Sequence, residues 1–556
     1  LIVERFKTEF AKTIFRNKYA QGPNDTWDAL ADRLVEDVCG SRWGTQSILM
    51  SASDRAELAE HIKNMRFIPG GRYLYYAGRE YKAYNNCYLL RAEEDTREEW
   101  SNVTWRAMSC LMTGGGIGVD YSRLRPAGRV LKRTGGTASG PLPLAFAINE
   151  IGRQVMQGGS RRSAIYASLN WQHEDIPQFL TSKNWNERTR QLKLEDFNYP
   201  AQLDMTNISV NYDDAALGET YEQGFRSDLL ETNPVFLQNV RQAMETGEPG
   251  FSFNFGDKQN ETLRNACTEV TSEDDSDVCN LGSINLGNIT SIGMFRDVVA
   301  LASKFLVCGT LRADLPYDKV YKVREKNRRL GLGLMGIHEW LLQRGQKYEV
   351  TDELHQWLQV YKDESKRSAD EHCDRFYISR PVAYRAIAPT GTIGILASTT
   401  TGIEPLYAVA YKRRFLTDGT KWKYSYVVDA TASRLIQDYG LAPDQIDSAH
   451  KLSSNFEQRI KFQADVQDYV DMSISSTINL PQWGSRGNNE DSVTEFAATL
   501  AKYAPRLRGF TCYPDGSRGG QPITECDYET AMNNKGTVFE EHDICDISGH
   551  GGSCGV

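Results

Sequence analysis

The sequence predicts an α/β fold behind a short helical start. From residue 67 onward, Gly-rich turns punctuate short apolar segments and amphipathic helices, as in FIPGGRYLYYAG, MTGGGIGVDYSRLRPAG, RTGGTASGPLP and VMQGGSRRSAIYASLN. That alternation is the mark of strands interleaved with helices. Residues 1–66 lack the punctuation and keep helical apolar spacing; DTWDALADRLVEDVCG has an Asp/Thr start and a Gly stop. The third observation is size: 556 residues, 40% of them hydrophobic and 10% aromatic, exceed one ordinary domain, large α/β barrels with appended helices being the exception, and make a large buried core available.

Taken in order, residues 1–66 are expected as an N-terminal helical region and 67–514 as the α/β body. Residues 515–556 are expected as a flexible tail, because they carry little apolar periodicity. Within the body, the polar stretch 183–204 reads as a surface excursion. The glycine clusters read as ligand-facing loops, where backbone approaches a phosphate or base.

Charge and composition narrow the function. Sixty-four basic residues against 73 acidic give a net charge of −9, which disfavours sequence-independent binding to a nucleic-acid polymer but leaves room for a small anion. No apolar run approaches the roughly 18 residues of a membrane span, and LIVERFKTEF lacks a signal-peptide core, so the expectation is a cytoplasmic protein without a membrane partner. The 11 cysteines include no CxxC pair, so no metal centre is expected. Cys39, Cys110, Cys308 and Cys373 read as buried reduced thiols. Cys545 and Cys554, among Gly and Ser, read as an exposed dithiol suited to disulfide exchange or as part of an inert tail.

Four motifs carry possible chemistry. GLGLMG (331–336) matches a dinucleotide fingerprint, but the charged, helix-like KVREKNRRL before it fails the context test, and the hexapeptide is assigned to helix packing. APTGTIG (388–394) places Thr390, Gly391 and Thr392 where they suit a phosphate or an ordinary turn. QGGSRRS (157–163), with Arg161, suits an anion, a base or a solvated turn. In LRNACTEVTS (263–272), Asn265, Cys267 and Glu269 alternate, and an extended segment sends all three to one face, as a site around one small object or as the polar residues of a half-buried strand.

Read together, these stretches resemble the catalytic subunit of ribonucleotide reductases, most closely the adenosylcobalamin-dependent class II enzymes. The resemblance runs collinearly through NNCYLL (85–90), GGGIGVDYSRLRPAG (114–128), TGGTASGP (134–141), QGGSRRSA (157–164), MTNISV (205–210), NACTEV (265–270), CNLGSINLGNI (279–289), RRLGLGLMG (328–336), APTGTIGILASTTTGIEP (388–405) and TCYPDGSR (511–518). It implies a ten-stranded α/β barrel, built from two five-stranded halves, with a central finger loop. By the resemblance, Cys267 on that loop carries a thiyl radical, which the middle of a barrel shields from solvent. Glu269 is the base on the ribose 3′ hydroxyl, Asn265 holds the ribose, and Cys87 and Cys279 supply two electrons and end as a disulfide. Asn86, Thr390, Gly391, Thr392 and Arg161 fall at substrate positions, Asp95 and Arg125 at positions that bind a deoxynucleoside triphosphate effector. Cys545 and Cys554 would pass electrons from a thioredoxin-like reductant.

The resemblance also separates subclasses. Class I subunits receive the radical through two adjacent tyrosines, whereas FTCYPDGSR has Tyr513 behind Cys512. Adenosylcobalamin is therefore the expected cofactor; the alternative is a divergent class I subunit fed by a metal-containing partner. A homodimer is the expected assembly.

Overall fold

The structure, a computed structural model, describes residues 4–540 apart from 42, 43, 45, 156–162, 197, 218–226, 418–420 and 517–522. Three helices open it: Glu9–Lys18, Trp27–Cys39 and Ala52–Lys63. Each begins at a hydroxyl N-cap, with Thr8, Thr26 and Ser51 accepting the backbone N–H of Ala11, Ala29 and Asp54. Phe15, Trp27, Leu34 and Ile62 from these helices join the same apolar core as the strands that follow.

The strands are β1 (Phe67–Pro69), β2 (Cys87–Arg91), β3 (Gly116–Asp120), β4 (Ile165–Asn170), β5 (Thr206–Asp213) and β6 (Gly250–Asn254), then the small hairpin β7 (Leu263–Arg264) and β8 (Thr271–Ser272). After them come β9 (Asp277–Asn285), β10 (Leu330–Met335), β11 (Ala410–Thr417), β12 (Lys421–Val428), β13 (Thr477–Leu480), β14 (Gly509–Pro514), β15 (Ile523–Glu525) and β16 (Val538–Glu540).

Strands β2 to β6 form one parallel run. Strand β9 starts the other half, antiparallel to β2 and parallel to β10, and β13 lies parallel to β14, which meets β6 antiparallel. The gap between β10 and β13 is spanned by the extended segment 383–388. Leu330 N–H donates to Ala383 O and Ala386 N–H to Leu332 O on one side; on the other, Ile387 N–H donates to Ser473 O and Ser475 N–H to Ile387 O. With those rungs the sheet closes into a barrel of two parallel halves joined at two antiparallel seams, β2/β9 and β6/β14. Side chains alternate across the wall. Tyr88 and Leu90 enter the outer core, while Cys87 and Leu89 join Leu263, Val270, Cys279, Leu281, Ala383, Ala386 and Met472 in a separate inner cluster.

Three expectations need correction here. GLGLMG is strand β10, not a helix contact: Leu330, Leu332 and Leu334 face the core at period two. Its glycines permit close approach, since a Cβ on Gly331 would stand 2.2 Å from Leu281 Cδ2 and 3.0 Å from Cys279 Sγ. Second, Gly116 and Gly118 form no ligand loop. They lie in β3, where a Cβ would meet Ala266 Cβ at 3.1 Å and Arg264 O at 1.7 Å respectively, so they make room for the finger. Third, residues after 514 are not all tail: β15 and β16 flank the β11/β12 hairpin in a four-stranded sheet, with Ala531 of helix Tyr528–Asn533 packed on Tyr424 and Tyr426. Three-residue strands are too short to show a period. Residues 541–556 lie outside the described residues.

The excursion at 183–204 contains the helix Glu187–Glu195, which buries no residue. It is tied down by Asp204, whose carboxylate takes Arg153 at 2.6 Å and Lys193 at 2.7 Å. Among the described residues no helix is long and apolar enough to cross a membrane.

Candidate active site

The finger enters the barrel on the β7/β8 hairpin, with Leu263 opposite Ser272 and Arg264 opposite Thr271. The tip, 265–270, is a turn and not an extended segment. Thr268 N–H donates to Asn265 O at 3.0 Å, Thr268 takes the left-handed φ of 70°, and Asn265 Oδ1 accepts Val270 N–H at 2.9 Å. That overturns the single-face expectation: Asn265 and Glu269 are each 1% exposed, whereas Cys267 is exposed. The finger's own packing therefore does not shield the Cys267 thiol.

Behind the tip stands the β2/β9 seam, with Cys87 opposite Cys279 in the ladder. Directly opposed antiparallel residues have Cα atoms about 4.5–5.5 Å apart, within the span a disulfide needs; both thiols are free and buried. Asn265 Nδ2 donates to Cys87 Sγ at 3.0 Å, and the Cys87 thiol points at Glu269 Oε1 at 3.8 Å. Burial pushes both thiols well above the usual range, and the Glu269 carboxylate adds to it. Burial also pushes the Glu269 carboxyl up to about 7, against the pull of Asn265, its own backbone and Cys87. Glu269 Oε2, Asn86 Oδ1 and Ser473 Oγ are buried without a hydrogen-bond partner. Such atoms are costly unless a ligand satisfies them.

The loop after the 383–388 segment comes to the same end of the barrel. Ser473 N–H donates to Glu269 O at 2.9 Å and Ile387 N–H to Ser473 O at 3.1 Å, so the chain passes the tip just before Thr390. Thr390 is left-handed at φ 51° and accepts Gly402 N–H at 2.9 Å on Oγ1. Gly391 is exposed, with open space where a Cβ would point, and Thr392 is half-buried. Asp95 and Arg125 pair with each other at 2.6 Å, at the far end, beyond the C-termini of β2 and β3. Arg161, Cys545 and Cys554 lie outside the described residues.

Two participants were invisible in the sequence. Ser473 reaches the site through a ladder contact with a residue far away in the chain, and Arg264 reads as one charge among many. The site thus assembles a carboxyl that burial raises to about 7, an exposed thiol on the same turn, and behind them a thiol pair able to yield two electrons.

Comparison with known proteins identifies the family of the barrel. A vitamin B12-dependent ribonucleoside-diphosphate reductase of Mycobacterium tuberculosis is 26% identical, the match covering 95% of this chain and 82% of the relative. One from Thermoplasma acidophilum is 25% identical, over 86% of this chain and 68% of the relative. A crystal structure described as a B-12-dependent (class II) ribonucleotide reductase shares the fold at a TM-score of 0.71 and 16% identity, covering 96% of this chain and 95% of that one. The model of the ribonucleotide reductase barrel domain matches residues 85–357 and 380–506, well over half the sequence, and the chain belongs to that family.

Proposed function

We propose that this chain reduces ribonucleotides to 2′-deoxyribonucleotides with adenosylcobalamin as the radical source. The observation that carries the reading is the meeting of Cys87, Cys279, Asn265 and Glu269 in one buried cluster beneath the Cys267 turn. The relatives' names support the cofactor; they include both diphosphate and triphosphate reductases, so the substrate is a ribonucleoside di- or triphosphate.

The residues fit the cofactor in one respect that geometry tests: of the three site thiols, only Cys267 is exposed, so it is the residue that would meet the group. Adenosylcobalamin, when bound, supplies the one-electron chemistry that converts an accessible thiol to a thiyl radical. Cys267 then takes the hydrogen atom from the ribose 3′ carbon. Glu269 accepts the 3′ hydroxyl proton on its unpartnered Oε2, and Asn265 and Asn86 hold the sugar. The 2′ C–O bond breaks and water leaves; Cys87 and Cys279 give two electrons and two hydrogens and close as a disulfide, and Cys267 returns the hydrogen to the 3′ carbon. Thr390, Gly391 and Thr392 receive the substrate phosphates. Asp95, Arg125 and Arg161 belong to the response to a deoxynucleoside triphosphate effector. Cys545 and Cys554 reopen the disulfide at the expense of a thioredoxin-like protein, and the working unit is a homodimer.

The test is deoxynucleotide formation by the purified chain with adenosylcobalamin, dithiothreitol and each ribonucleoside di- or triphosphate, with and without effector. Product that requires the cobalamin supports the reading and fixes the phosphate level. Product that appears only with a metal-loaded second protein overturns the radical source in favour of the class I alternative. No product under either condition overturns the function.

A further inference from the structure

Arg264 sits at the root of the finger with only 1% of its surface exposed. A buried guanidinium is tolerated only where hydrogen bonds replace water. Among the described residues all of its side-chain hydrogen bonds go to neutral oxygens: Glu261 O at 2.5 Å, Leu263 O at 3.1 Å, Asn254 Oδ1 at 2.8 Å, Arg508 O at 2.9 Å and Phe253 O at 3.4 Å. Burial, then the neighbouring Arg508, lower its pKa to about 9, which keeps it protonated near neutrality.

Nη1 is held by the finger's own Glu261 and Leu263 carbonyls, whereas the three acceptors of Nη2 share a location across the barrel. Phe253 and Asn254 end β6, and Arg508 O, which precedes β14, also takes the Phe253 N–H at 3.0 Å. The guanidinium therefore grips the β6/β14 seam, while the Arg264 carbonyl occupies the notch over Gly118. The tip reaches across the barrel to the other seam, where Cys87 faces Cys279.

We propose that Arg264 is a positioning residue: its planar fork clamps the finger's root to one seam so that the tip presents Cys267 and Glu269 to the cysteine pair at the other. The inference rests on the function proposed above, and it names the residue that sets the geometry of that reaction. Lysine keeps the charge but cannot span these acceptors.

The test uses the holoenzyme with Arg264→Lys, which loosens the clamp, and Gly118→Ala, which fills the notch. Each is expected to lower kcat about 10²-fold, as a displacement of roughly 1 Å does, with KM for the nucleotide within about twofold of wild type. Mild oxidation with diamide, mapped by peptide mass spectrometry, separates positioning from general damage. Wild type is expected to yield Cys87–Cys279, and the variants disulfides that include Cys267. Wild-type kcat and a wild-type disulfide map in either folded variant would overturn the proposal. If wild type forms no deoxynucleotide, the functional reading fails by itself, and the disulfide map still decides whether Arg264 positions the tip. Should Arg264→Lys not fold, Asn254→Ala, which removes the side-chain acceptor of the guanidinium, takes its place with the same expected outcomes.

Discussion

Replacing Glu269 with glutamine should stabilise the protein above neutrality while slowing turnover. The carboxyl is buried, its Oε2 has no partner, and burial lifts it from an ordinary 4.5 to about 7. Between those values the native state keeps a proton that the unfolded chain has lost, so stability falls as pH rises through that window. At about 1.4 kcal/mol per pH unit, the whole displacement costs the native state about 3 kcal/mol once the pH passes 7. Glutamine is neutral throughout and retains an oxygen for the Cys87 thiol. Urea unfolding of wild type and Glu269→Gln at pH 5 and pH 8 measures this. The variant's advantage should be small at the lower pH and grow toward about 3 kcal/mol at the higher. Parallel midpoints at both values would refute the claim that burial holds the carboxyl neutral. In the same pair, wild-type kcat should rise with pH through about 7 as the base ionises, and the variant should lose about 10²- to 10⁴-fold.

Other outcomes follow from single contacts. Cys267→Ser should abolish deoxynucleotide formation yet leave the unfolding free energy within about 0.5 kcal/mol, because the side chain is exposed; chromatography of products and urea unfolding check both. A Cys545→Ser, Cys554→Ser double variant should stop turnover with a protein reductant but not with dithiothreitol, and equal rates with both would remove the tail from the electron path. Gly309→Ala should destabilise by about 1–3 kcal/mol in urea unfolding, since a Cβ there falls 1.7 Å from Tyr73 Oη and 2.7 Å from Asn280 Nδ2.

What could be read from the sequence follows from the range of each interaction. Local signals were legible: Thr26 caps its helix because a hydroxyl one residue upstream is enough. The resemblance brought Cys87 and Cys279 together although no spacing rule links residues so distant. Strand β10 was misread because glycine alternates with leucine, which hides the apolar period, and because only Arg328 and Arg329 separate it from the preceding helix. The finger tip was misread because threonine rarely adopts positive φ; only the hydrogen bonds around Asn265 show why Thr268 does. The glycines of β3 looked like a loop because the group they accommodate, the Arg264 carbonyl, is supplied from far along the chain.

The two seams explain why one barrel can serve this arrangement. The cysteine pair depends on register: a slip of one residue in β9 would set Val278 or Asn280 opposite Cys87 and turn Cys279 to the outer face. Hydrogen bonds on both sides of Cys279 oppose that slip. Inside, Asp277 is fully buried and accepts Ser272 Oγ at 2.6 Å, Arg329 Nε at 2.8 Å and Asn327 Nδ2 at 2.9 Å. Outside, Asn280 Nδ2 donates to Leu306 O at 2.9 Å and to the Tyr73 hydroxyl. Ser272 belongs to β8, the returning strand of the finger, so one carboxylate joins the finger's base to the strand that carries Cys279. A buried charge is a poor source of net stability, but here it fixes two registers together. The thiol pair and the loop that approaches it are thus held in one frame, one root gripped by Arg264 at the far seam and the other by Asp277 at the near one.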